Sequence, residues 1–159
     1  PLYSSAASDV YKRQGLLKYV KGFRTEKGLA PFVSLLLVVK NQEAVIEGII
    51  QDIMALGYLG RGGGPDFEVV AVDDGSTDHT AEILERLAGR HPTLKVIRMS
   101  EVFRPGESAA DVGLFLCRSR AVLLFHIKGQ VQPQLLLSSI YYLLGDKNRD
   151  STGYRLSST

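Results

Sequence analysis

The segment Phe67 to Asp78, Phe-Glu-Val-Val-Ala-Val-Asp-Asp-Gly-Ser-Thr-Asp, constrains the fold of this chain more than any other. Val69 to Val72 form an unbroken apolar run, as expected for a strand covered on both faces rather than wetted on one. Gly75 permits a tight turn, and Ser76 or Asp78 is placed to cap the helix that follows. Asp73 and Asp74 stand at the carboxyl end of the strand, where open α/β sheets bind their ligands. Taken alone, the same two acids read equally well as helix caps in a solvated loop.

The rest of the chain repeats this unit. Phe32 to Val39 is a Val- and Leu-rich strand, and Asn41 is placed to N-cap a helix. Ala44, Val45, Ile46, Ile49, Ile50, Ile53 and Met54 then recur at the spacing of an amphipathic helix. After the Asp-Asp turn, Ile83, Leu84 and Leu87 mark a helix that closes near Gly89 to Pro92, and Leu94 to Met99 a strand. Ala109, Val112, Gly113, Leu116 and Cys117 predict a helix, Ala121 to Ile127 a strand, and Pro133 with Leu135 to Leu144 a last helix. Strands alternate with helix-sized connections. The pattern predicts an α/β fold, a three-layer sandwich with a mostly parallel sheet and right-handed crossovers. The Gly-rich stretch Gly60 to Pro65 follows a helix and precedes a strand, the wrong end for cradling phosphate, and lacks a Gly-Lys-Ser/Thr. It reads as a flexible connection.

Composition narrows the function classes. The chain has 159 residues, 45% of them hydrophobic, enough for one domain with a core. Its 19 basic and 17 acidic residues leave a net charge of +2, which excludes nucleic-acid binding driven by bulk charge. No apolar run approaches the roughly 18 to 20 residues that cross a bilayer, and no basic start followed by an apolar block marks a signal peptide. Cys117, the sole cysteine, follows Leu114, Phe115 and Leu116 and reads as a buried structural thiol, compatible with a reducing cytoplasm.

The chain divides into four parts. Residues 1–14 lack any helical or strand period and read as a non-native or disordered leader. Residues 15–30, with Lys18, Lys21, Arg24 and Lys27, form a basic lead-in helix or linker, and 15–28 carry a second reading as a peripheral membrane contact at the inner face. Residues 31–146 are the folded domain, and 147–159 a polar, disordered tail.

Val33-Ser34-Leu35-Leu36-Leu37-Val38-Val39-Lys40-Asn41-Gln42-Glu43, one helix, and then Glu68 to Asp78 resemble the amino-terminal half of family 2 glycosyltransferases. The resemblance runs from about Pro31 to Leu144 and implies the GT-A fold, whose Rossmann-like half binds a nucleotide-sugar donor, a UDP-sugar foremost. It implies that Val38 and Lys40 flank the base, that Asp74 accepts hydrogen bonds from the base or ribose, and that Asp73 orients the turn. Carboxylates are acceptor-only and suit that task. Many relatives place an aromatic where this chain has Lys40, so a stacking platform is exchanged for a cation near phosphate.

The resemblance also implies Mg²⁺ or Mn²⁺, held by an Asp-x-Asp triplet at the end of the fourth strand. Here His126-Ile127-Lys128 stand at that triplet, so neither acid is present. Imidazole and ammonium supply no oxygen ligands to a hard cation, and no metal ligand is assigned. Three outcomes stay open: an inactive relative used as a scaffold, a protein that still binds a nucleotide, or an enzyme in which Lys128 offsets diphosphate charge in place of the metal. His126 and Lys128 are the only catalytic candidates, and a histidine satisfied by backbone at a strand end is an equal reading of His126. Glu107 and Asp111 lie where relatives carry a residue facing the diphosphate, and both would disfavour it unless turned away. A dinucleotide-binding domain fits poorly without Gly-x-Gly-x-x-Gly after the first strand, and a phospho-acceptor domain lacks its further acid.

Overall fold

The computed structural model describes residues 19–20, 32–56, 67–101 and 106–144. The elements are β1 (Tyr19–Val20), β2 (Val33–Lys40), α1 (Ile46–Ala55), β3 (Phe67–Asp73), α2 (Thr80–Ala88), β4 (Leu94–Arg98), a 3₁₀ turn (Met99–Glu101), α3 (Ala109–Leu116), β5 (Ala121–Lys128) and α4 (Pro133–Leu144). The leader, most of the basic lead-in, the Gly-rich connection and the polar tail lie outside the described residues.

Four strands run parallel in the order β4-β3-β2-β5, and β1 pairs antiparallel with the outer edge of β5. Tyr19 and Val20 are therefore extended, and the helical alternative for the lead-in does not hold at these two positions. A strand here covers backbone groups that β5 would otherwise leave open on its edge. The order reverses at β2. Strands β3 and β4 are added on one side, then the chain crosses to place β5 on the other. Right-handed crossovers put the connecting helices on opposite faces after such a reversal.

The two cores follow that rule. On one face, Ile46, Ile49, Ile50 and Ile53 of α1, Leu84 and Leu87 of α2, and Leu136 and Ile140 of α4 pack on Leu35, Leu37, Val39, Leu123, Phe125 and Ile127. Each large side chain buried there contributes about 1.5–3 kcal/mol of transfer free energy. On the other face, α3 is the described α-helix that covers Leu36, Val38, Val70, Val72, Val122 and Leu124, with Met99 beside it. Gly113 lets α3 lie close: a Cβ there would collide with Leu36 Cδ1 and stand 3.0 Å from Val72 Cγ2. Cys117 is half-buried against this second core, and burial pushes its thiol up to about 11.

A buried carboxylate fastens the amino end of the sheet. Glu68 accepts from Ser34 Oγ (2.7 Å), Lys95 Nζ (2.8 Å) and the backbone N–H of Arg118, so one side chain ties β2, β3, β4 and the entry to β5. Burial by itself would raise its pKa, but the three donors outweigh it and hold the carboxyl below its ordinary range.

Two predictions follow from this packing. Gly113→Val forces Leu36 and Val72 apart and is expected to cost about 1–3 kcal/mol, read as a lower urea midpoint. Glu68→Gln is expected to cost about 1.5–3 kcal/mol at pH 7. Because the folded carboxyl is depressed, that contribution is present above the unfolded value near 4.3 and is lost as pH falls through the folded value. The stability gap between wild type and Glu68→Gln should close in acid; a gap independent of pH would contradict the account.

Candidate functional site

The carboxyl edge of the sheet brings the strand ends into register. Val38 of β2 lies between Val72 of β3 and His126 of β5, and Lys40 lies beside Lys128. Residues in register on neighbouring strands share a face, and side chains alternate along each strand. Val38 and Val72 belong to the core under α3, so His126, Lys40 and Lys128 are on that face, while Val39 and Asp73 take the other.

Most of the acidic turn is engaged in holding two loops together. Asp73 Oδ2 accepts from Ser76 N–H (3.2 Å), closing the turn in which Gly75 adopts a φ of 71°, a left-handed conformation natural to glycine. Ser76 Oγ accepts from Asn41 N–H (2.9 Å), and Asn41 Oδ1 accepts from Thr77 N–H (2.8 Å). Thr80 Oγ1 accepts from Gln42 N–H (2.7 Å), and Asp78 Oδ2 from Glu43 N–H (3.1 Å). Glu43 Oε2 accepts the His79 N–H and meets His79 Nδ1 at 2.9 Å. Hydrogen bonds from His79, backbone first and then ring, hold the Glu43 carboxyl low, and Glu43 in turn raises the His79 imidazole. Gln42 Nε2 donates to Lys40 O (3.1 Å) and Gly129 O (2.9 Å), extending the strap to the end of β5.

Several sequence expectations are corrected by this strap. Asn41 does not cap α1, whose N-cap is Val45; it adopts a left-handed φ of 52° and bridges to Thr77. Ser76 does not cap α2 but receives Asn41 N–H. Asp78 does serve the entrance of α2, accepting from Thr80 N–H at 3.0 Å. The side chain of Val38 is 1% exposed and packs in the core under α3, so its backbone is the part left to flank a base. Asp111 turns into a capping box with Ser108, accepting from its hydroxyl at 2.7 Å, and that bond lowers its pKa. The Ser-x-x-Asp spacing was visible in the sequence and signals that box. The cross-loop roles of Gln42, Thr77 and Thr80 carried no sequence signal, because each partner lies over 30 residues away.

Asp74 is the exception in the turn. Its N–H donates to Val39 O (2.9 Å), and its carboxylate turns to the α3 face, where Oδ2 meets Lys128 Nζ at 2.7 Å. Both side chains remain accessible, 32% and 47% exposed. Lys40 is exposed beside them and forms no ion pair among the described residues. On the opposite face, Asp73 is 2% exposed and its Oδ1 has no hydrogen-bond donor.

A groove of about 720 Å³ is a separate feature. It runs between the loops after β2 and β5 and is lined by Asn41, Glu43, Asp78, Gly129 and Val131 among others, with no Lys or Arg. It does not include Lys40, Asp74 or Lys128. Its carboxylates oppose a diphosphate.

The residues at the family's triplet do not fit a divalent cation. Lys128 carries an ammonium bonded to the nearest carboxylate, and no group of three His, Cys, Asp or Glu could hold a metal ion among the described residues.

Comparison with known proteins agrees with this geometry. The sequence profile of glycosyl transferase family 2 matches residues 34–154. A beta-monoglucosyldiacylglycerol synthase of Nostoc sp. is 37% identical over 112 residues, 70% of this chain and 23% of that protein. One from Synechocystis sp. is 42% identical over 80 residues, 50% of this chain and 16% of that protein. The chain thus spans about a quarter or less of the length of the curated relatives it matches. Among solved structures, a mannosyltransferase from Pyrobaculum calidifontis in complex with GDP-Man and Mn²⁺ superposes with a TM-score of 0.50 at 27% identity, over 74% of this chain and 34% of that one. A three-layer α/β domain, an Asp-Asp-Gly-Ser turn at its switch point and a family profile over most of its length agree: this chain belongs to glycosyl transferase family 2 and has its GT-A-type fold.

Proposed function

We propose that this chain receives a nucleotide-sugar donor at the carboxyl edge of its sheet, as the donor-binding half of a glycosyltransferase. The observation that carries this reading is Asp74. It is the acid of the Asp-Asp-Gly-Ser turn whose carboxylate leaves the loop strap and stands accessible beside β2, where the strand order reverses. A carboxylate there can accept from the N–H groups of a base or the hydroxyls of a ribose. Asp73, buried and held by Ser76, keeps the turn in shape. Lys40 lies where the phosphates would leave the nucleoside.

In the transfer itself, an acceptor hydroxyl attacks the anomeric carbon, the bond to the nucleoside diphosphate breaks, and a base takes the hydroxyl proton. That base is assigned to no residue of this chain. The relatives' name points to a glucosyl donor and a lipid hydroxyl as the first pair to test. On the same reading the protein works in the cytoplasm at the inner face of the membrane, where the basic side chains within residues 15–28 would meet the surface. Among the described residues no helix is long and apolar enough to cross a membrane.

A second reading is a catalytically inactive relative that serves as a nucleotide-binding or scaffold module. The Asp74–Lys128 pair and the absent acids at positions 126 and 128 favour it. Donor hydrolysis separates the two, since an active enzyme slowly releases nucleoside diphosphate from a UDP-sugar and a scaffold does not.

Calorimetric titration with UDP and with GDP tests nucleotide binding. Asp74→Ala is expected to weaken the preferred nucleotide by about 1–3 kcal/mol, roughly five- to 150-fold in Kd. Unchanged affinity would remove Asp74 from the site, and absence of binding to either nucleotide would overturn the donor-binding reading.

A further inference from the structure

We infer that Lys128, with Lys40 beside it, forms a metal-independent diphosphate site in place of the family's cation. The inference rests on the donor-binding reading above and assigns the charge that the diphosphate meets. Lys40 and Lys128 are the last residues of adjacent parallel strands and are partners in register. Neighbouring strands are about 4.8 Å apart, so two ammonium groups on one face can reach one diphosphate. The only carboxylate bonded to either of them, among the described residues, is Asp74. On the α3 face Lys40 and Lys128 set two cations against the one anion Asp74, whereas a metal site built from acids is negative until the ion arrives.

The geometry also explains how Lys128 is held. An unrestrained lysine samples many rotamers, but the 2.7 Å bond to Asp74 holds this one across the end of β2. An ammonium has three N–H donors, and the bond to Asp74 uses one. Two remain for phosphate oxygens without breaking the pair. Lys128 is 47% exposed, so a ligand can reach it. Asp74 would thus have two tasks, accepting from the nucleoside with one oxygen and positioning Lys128 with the other.

The test uses the full chain and two matched sets, uridine with UDP and guanosine with GDP, plus pyrophosphate alone, each titrated in EDTA and again with Mn²⁺. For the preferred base, the diphosphate is expected to bind at least tenfold tighter than the nucleoside in EDTA, with no gain from Mn²⁺. Lys128→Ala should collapse that ratio toward one, and Lys40→Ala should reduce it in part. Lys128→Gln, with its fold checked by thermal melting, serves if the alanine variant is unstable. The pair His126→Asp with Lys128→Asp should make the ratio depend on Mn²⁺. A wild-type protein that needs Mn²⁺ for tight diphosphate binding, or a ratio that survives loss of Lys128, overturns the inference. Pyrophosphate binding as tightly as the nucleotide would reduce the site to a free-phosphate site and overturn its role in donor recognition. A nucleoside that binds while its diphosphate gains nothing overturns the lysine site alone, whereas no binding of any nucleoside or nucleotide overturns the donor-binding reading beneath it.

Discussion

The candidate site depends on β2 being hydrogen-bonded on both sides. It lies between β3 and β5, in register along nearly its whole length, and its residues from Val33 to Val39 are buried. Because of that pairing, the turn after β3 and the end of β5 emerge on either side of the same strand end. A one-residue slip in register would move Lys128 to the opposite face from Asp74 and abolish their contact. The buried Glu68 network at the other end of the sheet resists such a slip. It joins Ser34 of β2, Lys95 of β4 and the backbone before β5 to one carboxylate of β3.

The site shows a division of labour across the plane of the sheet. On one face, Asn41, Gln42, Glu43, Ser76, Thr77, Asp78 and Thr80 satisfy one another and build a rigid collar around the strand ends. On the other, Lys40, Asp74, His126 and Lys128 project on the side of α3. Polar groups already matched within the collar have little left for a ligand. Charged groups that stay accessible can exchange water for a ligand at lower cost, and that contrast favours the α3 face over the acidic groove as the proposed site.

His126 and Lys128 stand where the resemblance implies two acids, and against that implied pattern they invert the electrostatics at the end of β5. A site of carboxylates repels a diphosphate and needs a cation to bridge them. A site led by Lys128, as proposed, would attract the diphosphate directly and repel the cation. The pairing of Lys128 with Asp74 is the geometric consequence: with an ammonium at this position, the nearest carboxylate becomes its partner. The family's architecture is thereby retained while its charge pattern is not.

The sequence alone determined the alternation of strands and helices, the parallel sheet and the placing of the acidic turn at a strand end. Apolar periodicity and turn chemistry are local, so α4 beginning at Pro133, α2 closing at Gly89 and the strand from Phe67 to Asp73 could all be read from nearby residues. Local reading failed for Asn41, taken for a cap, because its role is set by residues distant in the chain. Only the tertiary structure decided which acid of the Asp-Asp pair faces Lys128. Asp74 and Lys128 are 54 residues apart, and their meeting depends on the sheet order and on the face each strand presents. Hydrogen-bonded register, a property of several strands together, is the physical reason that no single segment could reveal it.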